Sequence, residues 1–290
     1  MCFNIKTKIS NINMNIFITI LIFIVILLIY LHFMSEFKFV NKFSIYDVEY
    51  TNRSELQKIC ELKQPFVFEL QLQSQDNINK SQNMCVFDNS DNEFVSLSYS
   101  SLEELLEKDQ GGNYYSMKNQ DFAKNEFPLT FSELNKYINP YFSWNTTYDV
   151  IMGSNNAHTS LLYLRESGMF IYVKSGNVNV KLMAYNKDHE SLNICLWNED
   201  EPMNCEIGDV SLTGSQVLFV PSWCMYTLQF DKNAVVYTIT HQTPPNAIVN
   251  IPHYCMEFLQ SQNTEEKVLK TIEIPKIAEE GEIETTNTDE

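Results

Sequence analysis

Between residues 148 and 242 the chain is a succession of short β-rich runs, and this constrains its fold more than any other feature of its 290 residues. The runs cover 148–152, 161–164, 169–174, 178–184, 192–197, 217–220, 225–230 and 234–240. Turn residues punctuate them, at Gly153-Ser-Asn-Asn156, Glu166-Ser-Gly168, Ser175-Gly-Asn177 and Thr213-Gly-Ser215. Seven or eight strands at such spacing predict a sandwich or a barrel closed from two sheets. The clearest hairpin runs from Ile171 to Lys181 and turns at Gly176. Alternation along its second arm puts Val178 and Val180 on one face and Lys181 on the other, so inward valines leave the lysine to water.

Upstream of this region the pattern changes to short helices. Residues 54–62 have helical spacing with Ser54 as N-cap, and Pro65 ends them before a strand-like 66–72. Ser101-Leu-Glu-Glu104 reads as a capping box opening a helix to about Lys108, and a third helix fits 132–138 before Pro140. Downstream, residues 263–290 carry nine acidic and three basic side chains and few aromatics, which predicts an acidic disordered tail. The net charge of −17 argues against nucleic acid as a partner, because phosphate contacts need a basic face.

At the N-terminus, residues 16–33 form an apolar run without formal charge, interrupted only by Thr19 and His32. As a helix, 18 such residues rise about 27 Å, against a hydrocarbon core of ~30 Å. A single transmembrane anchor over 16–34 is therefore expected, with a cleaved signal peptide as the competing reading. The anchor implies a single-pass membrane protein, and Lys6 and Lys8 tip its soluble part towards the lumenal or exterior side. Asn52, Asn79 and Asn145 lie in glycosylation sequons, but 30 asparagines make three sequons uninformative. Cys195 and Cys205 flank a polar loop and could pair in an oxidising compartment; ordinary buried thiols are the alternative. The expected organisation is a tail at 1–15, the anchor at 16–34, a folded domain at 35–262 with its β core near 148–242, and the acidic tail at 263–290.

Four pieces, in order, carry a resemblance: Tyr148-Asp-Val-Ile-Met-Gly-Ser154, Thr159-Ser-Leu-Leu-Tyr163, Phe170-Ile-Tyr-Val-Lys-Ser-Gly176 and Gly214-Ser-Gln-Val-Leu-Phe-Val-Pro-Ser-Trp223. Together they resemble the cupin-like JmjC family over about residues 54–240, in a divergent branch of the kind found in large DNA viruses and protists. The fold implied is mainly β, a double-stranded β-helix (the cupin or jelly-roll barrel) with a few flanking short helices, here preceded by one transmembrane helix. The family's chemistry is oxidation with Fe(II) and 2-oxoglutarate. Its iron needs two imidazoles and a carboxylate on one face, with open positions for cosubstrate and oxygen.

Laid on this chain, the first family histidine falls on Leu162, its aspartate on Leu164 and its second histidine on Tyr226. The lysine that grips 2-oxoglutarate falls on Val178. The resemblance therefore implies a catalytically degenerate module with no cofactor, acting by binding an unknown protein or small molecule, or as a scaffold. The alternative is an active dioxygenase with rearranged ligands, His158 substituting for the lost histidine and Asp149, His241 or Tyr226 completing the site. A purely structural membrane or virion component is the third reading. Oligomeric state has no signal here. Leu162, Leu164, Phe170, Val178, Val180, Phe219, Trp223 and Tyr226 would fill the barrel, solidly or around a pocket. In the latter case Tyr163, Phe170, Trp223 and Tyr226 are the expected lining, with aromatic faces for stacking. A nucleophilic pairing of Cys224 with His241 is also conceivable, although nothing local activates the thiol.

Overall fold

The computed structural model describes residues 16–31, 34, 44–73, 76, 78–89, 93–184, 207–232 and 234–263. A helix over residues 16–31, α1, comes first and its side chains are exposed. Next come β1 (Tyr46–Asp47), α2 (Arg53–Cys60), β2 (Phe66–Glu69), β3 (Asn83–Asp88), β4 (Glu93–Ser98), α3 (Tyr99–Lys108), β5 (Tyr114–Ser116), α4 (Gln120–Glu126) and α5 (Pro128–Ile138). The second half holds β6 (Asn145–Gly153), β7 (Leu162–Tyr163), β8 (Gly168–Ser175), β9 (Asn177–Ala184), β10 (Ile207–Thr213), β11 (Gln216–Pro221), β12 (Cys224–Phe230), β13 (Ala234–Gln242) and α6 (Pro244–Asn263).

Two expectations need correction. Among the described residues the architecture is mixed α/β, with 13 strands in two sheets and six helices, rather than a mainly β barrel with a few short helices. The expected transmembrane helix is also overturned, because no helix among the described residues is long and apolar enough to cross a membrane. The strand expected at 192–197, the pair Cys195 and Cys205, and the tail beyond Asn263 lie outside the described residues.

The larger sheet has nine strands in the order β1-β2-β11-β8-β13-β6-β5-β3-β4, and the smaller has four in the order β10-β9-β12-β7. From β6 to β13 every connection except that between β9 and β10 passes from one sheet to the other. Tight turns make this possible: Gly176 carries the β8–β9 turn with φ +73°, a conformation glycine adopts without steric cost. Trp223 makes the β11–β12 turn with φ +64°, where its backbone N–H donates to Leu164 O at 2.8 Å.

Alternation along the strands sorts side chains into two cores. Met169, Ile171 and Val173 of β8 join Val178, Val180, Leu182, Leu218, Val220, Leu228 and Phe230 between the sheets. Phe170 and Tyr172 point the other way, into an aromatic layer with Phe66, Phe68, Phe219 and Tyr237 that the helices cover. Phe219 lies 5.0 Å from both Phe66 and Phe170, centroid to centroid. This explains why β8 and β11 read as continuous apolar runs: both of their faces are buried. It also explains the helix content, since an aromatic sheet face needs a covering layer.

Helix boundaries differ from the sequence reading at their starts. Asn52, not Ser54, caps α2, its side-chain oxygen accepting the Glu55 N–H at 3.0 Å. Ser98 caps α3 by accepting the Ser101 N–H at 3.3 Å, so the helix opens three residues before the expected box. Helix α5 begins at Pro128, whose missing N–H costs nothing in a first turn. Helix α4 and the 20-residue α6 were not expected as helices at all.

Candidate functional site

The space between the two sheets is apolar at one end and polar at the other, and the β6–β13 pair shows where it changes. Inward-facing partners in this antiparallel pair are Asn145 with Gln242, Thr147 with Thr240, Asp149 with Thr238, Ile151 with Val236 and Gly153 with Ala234. Ile151, Val236 and Ala234 belong to the apolar inter-sheet core. The three rungs beyond them carry only amides, hydroxyls and one carboxylate. Side chains of one strand face repeat every second residue, so this polar end is written in each strand as a period of two.

The outer two rungs line a cleft of about 330 Å³ together with Glu166 and Tyr254. Glu166 comes from the loop between β7 and β8, which is clamped to the start of α6. Asn246 and Asn250, both fully buried, each donate through Nδ2 to Arg165 O at 3.0 Å. The Thr243 backbone N–H donates to Ser167 Oγ at 3.0 Å. Tyr254, two turns further along α6, accepts a hydrogen bond from Gln242 Nε2 at 2.6 Å. At the outer end of this pair the Trp144 backbone N–H donates to Gln242 O at 2.7 Å, and Trp144 is 74% exposed. Phe142 beside it is 78% exposed.

Behind the cleft lie Asp149 and Tyr226. Burial pushes the Asp149 carboxyl up to about 6, against the backbone N–H groups of Asn119, Lys118 and Val150 that favour its ionised form. Those N–H groups donate at 2.6, 2.8 and 2.9 Å respectively. Asp149 thus holds the turn where the chain leaves β5, with Lys118 at φ +65°. Asn119 extends the network, its Nδ2 donating to Ser116 Oγ at 2.8 Å and to Val150 O at 3.0 Å. Burial raises the Tyr226 phenol far above its ordinary value, and the Glu166 and Asp149 carboxylates add to the rise.

The residues singled out from sequence fall in several places. Leu162 is the register partner of Tyr226 in the β7–β12 pair, and Leu164 is buried beside them in the inter-sheet core. Val178 is buried in that core, and Lys181 faces the opposite way, paired with Asp209 and Thr227 across β9. Phe170 and Phe219 do not share a space with Tyr226, because strand parity places them in the helix-covered layer. Tyr163 and Trp223 pack on each other at 6.1 Å at the β11–β12 turn. The four expected lining residues therefore do not surround one pocket.

His158 forms an isolated bridge with Gln229, its carbonyl accepts from Asn89 Nδ2 at 3.2 Å, and burial lowers its imidazole pKa. His241 sits on the helix side of the large sheet, edge-on to Phe170, with Nδ1 3.3 Å from Thr146 Oγ1. Burial and the Arg53 guanidinium depress it to about 3. Cys224 faces between the sheets and burial pushes its thiol up to about 12, so His241, on the opposite face, is no base for it. Among the described residues no three of the His, Cys, Asp and Glu side chains are placed to hold a metal ion.

Asn145, Thr147, Glu166, Thr240, Gln242 and Tyr254 were not picked out by the sequence reading as a site. Their signal was present in part: Asn145-x-Thr-x-Asp149 and Thr238-x-Thr-x-Gln242 are polar at alternate positions in otherwise β-forming runs. No family model and no curated protein matches the chain.

Proposed function

We propose that this protein is a catalytically degenerate relative of the JmjC-like proteins that acts as a binding or scaffolding module. One observation carries the reading: the positions that match the family's iron ligands are Leu162, Leu164 and Tyr226, and they pack into an apolar core. These side chains do not fit Fe(II). Two leucines offer no donor atom, and a buried phenol with a raised pKa stays protonated and is a poor ligand. Val178, at the position of the cosubstrate lysine, offers no cation to a carboxylate and is itself buried. Among the described residues the polar cleft of β6 and β13 offers hydroxyls and amides that can bind.

The test is elemental analysis of the purified full-length protein after incubation with Fe(II), together with an assay for 2-oxoglutarate decarboxylation. Neither stoichiometric iron nor succinate is expected. Iron at one equivalent with turnover would replace this reading by a dioxygenase with rearranged ligands.

A further inference from the structure

We propose that the polar cleft at the outer rungs of β6 and β13 binds a neutral polyhydroxylated ligand, a saccharide. The inference rests on the binding-module reading above and names the ligand class for it. Three observations point the same way.

The first is the donor and acceptor chemistry of the lining. Asn145, Gln242, Thr147, Thr240 and Tyr254 offer amides and hydroxyls that both donate and accept, and Glu166 adds one carboxylate. A sugar hydroxyl also donates and accepts at once, so a wall of such groups can satisfy several on one ring. A carboxylate or planar amide can bridge two neighbouring hydroxyls in the bidentate manner it uses with other paired donors.

The second is charge. Among the described residues the lining has a carboxylate and no basic side chain, Asp149 lies behind it, and the whole chain carries −17. A phosphate or carboxylate ligand would meet repulsion without a compensating cation. An apolar ligand would strip water from six polar side chains and return nothing.

The third is shape. About 330 Å³ is at the small end of ligand sites, which suits a terminal sugar ring with the rest of the molecule extending outwards.

The experiment is an array of neutral glycans probed with the full-length protein, followed by NMR titration of the best binder. Binding of at least one neutral glycan is expected. Thr147→Val and Glu166→Gln should each weaken it about tenfold, the size of one lost hydrogen bond of about 1.4 kcal/mol. No binding across the array overturns the proposal, as does binding that survives both variants. Tetramethylammonium competing at the same cleft in place of glycans would overturn it in favour of a cation site. These failures are distinct from failure of the binding-module reading, which stoichiometric iron with 2-oxoglutarate turnover would bring about whether or not glycans bind.

Discussion

Leu162 and Tyr226 face each other as register partners across the β7–β12 pair, and Leu164 is buried two residues further on. Neither leucine carries a donor atom, so under the proposed reading this part of the inter-sheet core serves as packing.

The same packing has a measurable consequence. Leu164 is 3% exposed within the inter-sheet core, and truncating a leucine there removes transfer energy and leaves a cavity. Leu164→Ala should lose about 2–5 kcal/mol of stability in urea titration. A loss below about 1 kcal/mol would mean that this end of the core is loose and that Leu164 is not a structural residue.

Gly153 tests the apolar end of the same space. A Cβ built there would stand 2.1 Å from the Phe230 ring, well inside any real contact. Gly153→Ala should therefore cost about 1–3 kcal/mol through overpacking. Phe230→Leu in the same chain should recover part of that loss, giving a coupling detectable in a double-mutant cycle. Additive effects of the two substitutions would rule out the contact as the cause.

Two buried titrations act in opposite directions below neutrality. His241 is depressed from 6.5 to about 3, so between those values the unfolded chain binds a proton that the folded one refuses. Stability then falls as pH drops below 6.5, with a slope approaching 1.4 kcal/mol per unit, roughly. Asp149 is raised from 3.8 to about 6, so its folded form holds a proton through that window and its share of stability is lost as pH rises towards 6. His241→Gln should remove the first effect: relative to the variant, the wild-type protein should destabilise progressively from pH 6.5 to 4 in urea titrations. Parallel profiles for the two proteins would show that His241 titrates normally.

Much of the second half of the molecule was legible from residue order. β-branched and aromatic runs separated by Gly, Ser and Asn specify strands and turns locally, and the turn at Gly176 lies where its residues put it; but β8 and β9 enter different sheets and do not pair, so the hairpin expected there is a crossover between the sheets instead. Helix starts were less legible, because Asn52 and Ser98 cap with side-chain oxygens that several nearby polar residues could equally have supplied.

Residue order alone determined most of the strands between 148 and 242, where apolar and β-branched runs are long enough to read locally, but β3, β4, β5 and β10 carried too little alternation of their own to be expected. It did not determine which face of a strand is which when both are buried. Phe170 and Ile171 are equally apolar, and only the stacking of helices on one side and the small sheet on the other sends them into different cores. The cleft likewise exists only in three dimensions. Asn145 and Gln242 are 97 residues apart, and only the β6–β13 register makes them one rung, while α6 and the loop at Arg165 bring Tyr254 and Glu166 to it. Period-two polarity in one strand is a local property, but a pocket is a coincidence of several elements, set by long-range packing.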